Sequence, residues 1–153
     1  MLISKKWLND HLDVTDLSNS DFDDVLTFAG VEVEGITEKG VSSDRVIVAQ
    51  VVESEQHPNA DRLSVTKVDT GEAELRQIVC GAKNYKVGDK VPCALPGASL
   101  PGGFEIKETI MRNVESKGML CSAVEVGLGS DHSGLMILPD EWETGKPLRK
   151  FVD

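Results

Sequence analysis

From Arg45 onward the chain is a succession of short apolar segments divided by turn-forming residues, and that texture restricts the fold more than any other feature of the sequence. The segments are Arg45 to Glu53, Leu63 to Asp69, Leu75 to Cys80, Lys90 to Leu95, Phe104 to Met111 and Leu135 to Leu138. Between them lie His57-Pro58-Asn59, Thr70-Gly71, Gly81, Gly88-Asp89, Pro96-Gly97 and Pro101-Gly102-Gly103. Proline presets one turn dihedral and glycine admits positive φ, so each break ends one strand before the next begins. Many short strands at regular spacing build a small barrel or sandwich. The first segment is apolar on both faces at Val46, Ile47, Val48, Ala49, Val51 and Val52, as expected of a long strand shared across a closed barrel. In the second, Leu63 and Val65 alternate but the next apolar residue is Val68, which places a β-bulge there. Ser122 to Leu128 fits one or two helical turns.

The residues before this region follow another period. Trp7, Leu8, His11 and Leu12 recur at helical spacing behind Ser4 as N-cap. A second helix is signalled by Ser20 followed by Asp23, by acidic residues from Asp21 to Asp24, and by the stripe Phe22, Val25, Leu26 and Ala29 ending at Gly30. Val31 and Val33 then alternate with Glu32 and Glu34, a strand pattern. The polar joint from Lys39 to Asp44 divides the chain into a small α/β piece, residues 1–39, and a β domain, residues 40–153. Two helices and one strand bury too little surface to stand alone, so the first piece must pack on something else.

At 153 residues, 40% hydrophobic and 27% charged, the chain has the composition of a soluble globular protein with a real core. No apolar run approaches the roughly 20 residues that cross a bilayer, which points to the cytoplasm and away from a membrane. The net charge of -10 argues against phosphate as a partner, because nucleic-acid affinity is carried by Lys and Arg. The charge is uneven, however. Arg76 to Lys117 holds seven basic residues against four acidic ones, +3. That excess fits either an anion-binding face or an ordinary solvated surface.

Cys80, Cys93 and Cys121 are odd in number, widely spaced and set among apolar neighbours, so they read as buried thiols rather than zinc ligands. Cys121-Ser122 has no nearby His, and Asp131-His132-Ser133 is contiguous and cannot form a triad by itself. No catalytic residue or metal ligand is expected.

Five segments have the character of recognition elements: His57 to Leu63, Gln77 to Asn84, Ala94 to Gly103, Ser116 to Ser122 and Glu125 to Gly129. In the first, Pro58 and Asn59 set a turn and Arg62 offers a planar fork to a phosphate or base edge, although Asp61 and Arg62 could equally pair with each other. Lys83 and Asn84 sit beside a turn whose N–H groups could face an anion. In the fourth, Lys117, Gly118 and Met119 allow backbone and a flexible apolar side chain to approach a ligand, or else fill the barrel end. Aromatics for stacking are scarce, Tyr85, Phe104, Trp142 and Phe151, so contact with an RNA should be to folded shape and backbone rather than to splayed bases.

Taken together, the five segments resemble the tRNA-binding domain family, an OB-fold found in synthetase β subunits, in free-standing tRNA-binding proteins and in some methionyl- and tyrosyl-tRNA synthetases. The resemblance covers Asp44 to Lys150; Glu125-Val126-Gly127-Leu128 stands where the family usually has Glu-Leu-Gly-Leu. The front end, Ile3-Ser4-Lys5-Lys6-Trp7-Leu8 with Phe28-Ala29-Gly30 and Val31-Glu32-Val33-Glu34, is similar to the start of bacterial phenylalanyl-tRNA synthetase β subunits. The resemblance implies a mainly β fold, a five-stranded OB barrel with extra strands and short helices behind a small, incomplete α/β piece that sequence beyond Asp153 completes. It implies a tRNA partner for His57, Asn59, Arg62, Lys83, Asn84, Arg112, Ser116, Lys117, Met119 and Ser122. It further implies an (αβ)2 enzyme with ATP and Mg2+ bound outside this chain, no DNA partner, and a chain that is inactive alone. A free-standing tRNA-binding protein and a packing module with little RNA contact are the alternatives.

Overall fold

A computed structural model describes residues 1–37, 40, 41 and 43–152. They fall into two compact units, Met1–Glu38 and Lys39–Asp153. The polar joint from Lys39 to Asp44 lies partly outside the described residues.

In the first unit, α1 spans Lys5–Asn9 and α2 spans Asn19–Phe28. Ser4 caps α1 by accepting from the Trp7 N–H, as its sequence predicts. The cap of α2 is Ser18, not Ser20. The Ser18 hydroxyl accepts from the Asp21 N–H while the Asp21 carboxylate accepts from the Ser18 N–H, a reciprocal box that starts the helix earlier. Asp23, expected to close the box, instead accepts from Thr27 one turn on. Residues 31–37 join no strand, because a strand exists only through a ladder partner and the described residues of this unit supply none. Trp7, Leu12, Val25 and Phe28 are exposed.

The second unit is built on a five-stranded antiparallel sheet: β1 Val46–Gln56, β2 Ser64–Asp69, β3 Arg76–Cys80, β4 Lys90–Ala94 and β9 Met119–Leu120, in the order β3-β2-β1-β4-β9. Two hairpins, β5 Ser99–Leu100 with β6 Phe104–Glu105 and β7 Thr109–Met111 with β8 Val114–Ser116, occupy the chain between β4 and β9. The sheet curls until its two ends meet. Lys117 N–H donates to Gln77 O at 2.9 Å, Val79 N–H to the Ser116 hydroxyl at 3.1 Å, and the Gln77 amide to Glu115 O at 2.9 Å. This seam makes a nearly closed barrel of OB type, with fewer sheet edges left open.

Ile47, Ala49, Val51, Val68, Ile78, Val91, Cys93 and Leu120 fill the interior. The opposite face of β1, Val46 and Val48, is also buried, under a second core that includes Leu100, Ile106, Val126, Leu138 and Leu148. The two-sided apolar strand therefore reflects a covering layer as well as barrel closure. In that stretch residues 145–147 take the place of β2 beside β1: Val48 N–H donates to Lys146 O and Gly145 N–H to Val48 O. Gly145 and Gly71 meet there at positive φ, and a Cβ on Gly71 would lie 2.9 Å from the Gly145 Cα.

Several expectations are corrected. The bulge lies in β1, between Val51 and Glu53, and not in β2. In β2 the buried positions are Ser64, Thr66 and Val68, a regular alternation disguised by polar residues facing inward. Thr66 is tolerated there because its hydroxyl donates to Ile78 O at 2.7 Å. Phe104 to Met111 forms two strands, not one. Leu135 to Leu138 contributes a single bridge, Lys90 to Leu138, since its leucines divide between the two cores. Ser122 to Leu128 makes one helical turn, Val126 N–H to Ser122 O, within a run of turns tied by Ser122 and Glu125, as its sequence allows.

Candidate nucleic-acid interface

An open groove of about 740 Å³ runs beside the C-terminal end of β3. Its lining includes Val79 to Ala82, Phe104 to Lys107, Met111, Gly118 to Leu120, Val124, Glu125 and His132 to Leu135. Three of the five sequence segments thus converge. Gly118 makes this possible, because its φ is +142° and a Cβ would lie 2.8 Å from Ala94 O.

The predicted site residues divide by what their side chains already do. His57 is 2% exposed. Its Nδ1 accepts from the Asn59 N–H at 3.0 Å, so the ring proton sits on Nε2, which donates to Met111 O at 2.9 Å. The Asn59 amide donates to Arg112 O at 3.0 Å. Together they lace the β1–β2 loop to the β7–β8 turn, where Arg112 and Asn113 both have positive φ. Asn84 grips Leu135 twice, donating to its O and accepting from its N–H, both at 2.9 Å. Ser116 is buried in the seam and also donates to Gly118 O. Ser122 and Glu125 cap one another beside the groove.

The remaining candidates stay available. Arg62, Lys83 and Arg112 are exposed, and the Lys83 ammonium touches only the Ser64 hydroxyl at 2.8 Å among the described residues. Lys117 is half-buried, its backbone O receiving the Arg76 guanidinium. Met119 lines the groove. Asp61 and Arg62 do not pair. Phe104, Lys107, Met111 and Val124 also line the groove and were not among the expected residues. The signal for Phe104 was an aromatic directly after Gly102-Gly103, where nothing local demands one.

The thiols and the Asp131-His132-Ser133 trio are held in structural roles. All three cysteines are buried free thiols; burial pushes Cys93 up to about 12 and raises Cys80 and Cys121 as well. The thiol is held protonated and is a poor nucleophile. Ser133 gives its hydroxyl to Asp131 and His132 faces Ser130 O, so the contiguous trio forms a turn and not a relay. Ser133 also holds the Asp131 carboxyl below its usual range.

A nearly closed five-stranded barrel with an open groove defines an OB-type module. Residues 46–147 match the family described as "Putative tRNA binding domain", and the chain belongs to that family. It is 46% identical over 153 residues to the phenylalanine–tRNA ligase β subunit of Bdellovibrio bacteriovorus and 49% identical over 152 residues to that of Chromobacterium violaceum, covering 99% of this chain in each case. The chain spans about a fifth of those relatives, 19% of each. Among solved structures, a MetRS related protein from Pyrococcus horikoshii shares the fold with a TM-score of 0.51 at 23% identity, over 69% of this chain and 89% of that one. Among the described residues, no helix is long and apolar enough to cross a membrane.

Proposed function

We propose that the barrel is the tRNA-binding module of a cytoplasmic phenylalanine–tRNA ligase β subunit. It supports attachment of phenylalanine to tRNA without taking part in the chemistry. The observation that carries this reading is the convergence of three of the five family-like segments on one groove, lined by Lys107 and bordered in sequence by Lys83, Arg112 and Lys117. The similarity to ligase β subunits supports the partners: an α subunit and the other β domains, in an (αβ)2 enzyme. ATP and Mg2+ belong elsewhere in that enzyme. Among the described residues no cluster of three His, Cys, Asp or Glu side chains could hold a metal. The Pro96 to Gly103 loop also lacks a following Gly-Lys-Ser/Thr for a triphosphate.

A second reading, an inter-domain packing module, is favoured by the internal use of His57, Asn59, Asn84, Ser116 and Ser122 and by the net charge of -10. Titrating tRNA binding against salt separates the two. RNA binding predicts an affinity that falls steeply with salt, with a slope made shallower by roughly one in Arg112→Ala. Absence of any salt-dependent tRNA binding favours the packing module.

A further inference from the structure

Charges of both signs line and border the groove. Its walls carry Lys107 against two carboxylates, Glu105 and Glu125. Lys83, Arg112 and Lys117 each adjoin a lining residue in sequence, next to Ala82, Met111 and Gly118, as do Glu108, Glu115 and Asp131, next to Thr109, Ser116 and His132. A phosphate inside would face both carboxylates with Lys107 alone to offset them, whereas outside the groove Lys83, Arg112 and Lys117 each offer it a cation. The lining mixes polar side chains, among them Thr109, Ser122 and Ser133, with two adaptable methionines, Met111 and Met119, and with Phe104 at 60% exposure. Glu105 sits in the β5–β6 ladder, and its side-chain carboxylate, free of any hydrogen bond or ion pair among the described residues, can accept from an exocyclic amino group. At about 740 Å³ the space falls within the range, roughly 300–1,000 Å³, of sites that enclose small organic ligands.

Building on the RNA-binding reading, we infer that the groove receives an unpaired nucleobase of the bound RNA, stacked against Phe104, while the flanking phosphates remain on the rim cations. The scarcity of aromatics in the sequence argued for contact with folded shape alone. Folding sets that argument aside by placing one of the few rings where a base could enter. Stacking on an aromatic is sequence-tolerant, so the groove would hold a looped-out base without reading much of its identity.

The test uses the whole 153-residue chain. Binding is measured by fluorescence anisotropy to unfractionated tRNA, to a short RNA hairpin, and to the same hairpin with abasic loop positions. Phe104→Ala should weaken binding to tRNA and to the intact hairpin by about 5- to 150-fold, with no change in salt slope. Phe104→Tyr should retain affinity. The abasic hairpin should bind the native chain as weakly as the intact hairpin binds Phe104→Ala, and the substitution should add little further loss. Equal affinities of all these proteins for all these RNAs would overturn the base-stacking inference and leave RNA binding intact. Failure of the native chain to bind any of the RNAs would overturn the RNA reading itself. A Phe104→Ala variant with normal RNA affinity but weakened association with the rest of a ligase β subunit would assign the groove to a protein and also overturn the inference.

Discussion

His57 opens a motif that reads as RNA-binding, yet the structure makes it an internal clasp, and His57→Ala separates the two roles. The imidazole is 2% exposed and carries two hydrogen bonds, at 2.9 Å to Met111 O and 3.0 Å from the Asn59 N–H. Asn59 and Met111 are themselves exposed or nearly so, so water can satisfy the freed groups, and each bond accounts for about 0.5–1.5 kcal/mol. The space left by a buried ring adds about 1 kcal/mol. The total is about 2–4 kcal/mol, which for a chain of this size lowers Tm by roughly 5–15 °C. Urea denaturation and calorimetry measure that loss, and faster hydrogen exchange at the Asn59 amide would locate it. Measured well below the variant's Tm, tRNA affinity should stay within about threefold of the native chain, since no ligand contact is removed. Unchanged stability with a tenfold or greater loss of affinity would refute the clasp and return His57 to the RNA surface.

Two further outcomes follow from packing and burial. Gly71→Ala places a Cβ 2.9 Å from the Gly145 Cα at φ +76° and should cost about 3 kcal/mol by thermal denaturation. Gly88→Ala, at φ +98° in open space, should cost only about 1 kcal/mol. Burial raises the Cys93 thiol from 9.0 to about 12, and Cys80 and Cys121 are also raised. A group whose folded pKa exceeds its unfolded one contributes stability that is complete below the unfolded value and is lost as pH rises toward the folded one. Urea midpoints should therefore hold at neutral pH and fall between about pH 9 and 12, more shallowly in Cys93→Ala. A fall of equal steepness in Cys93→Ala would show that other groups control the alkaline limb.

The strands that were readable in advance, β1, β3 and β4, are those whose inward positions are filled by apolar residues. β2 was found but its bulge was misplaced, because Ser64 and Thr66 face inward and a polar residue in a buried slot looks like a break in the period. The short strands β5, β8 and β9 were missed because segments of two or three residues have no period of their own; they exist through partners distant in sequence. The true cap of α2 lay two residues ahead of the expected one because Ser18 and Ser20 both precede an acidic residue at the right spacing. Local chemistry left that choice open.

Composition and turn spacing by themselves determined a mainly β barrel domain behind a helical front piece, with buried thiols; both follow from local dihedral preferences and from hydrophobic periodicity. Which polar residues face a ligand was decided only by the tertiary structure. His57, Asn59, Asn84 and Ser116 find their hydrogen-bond partners 37 to 54 residues away, and a buried polar group must be satisfied wherever the folded chain brings a partner. The same long-range closure gathered Phe104, Met119 and Glu125, residues from three separate stretches of the sequence, around one groove.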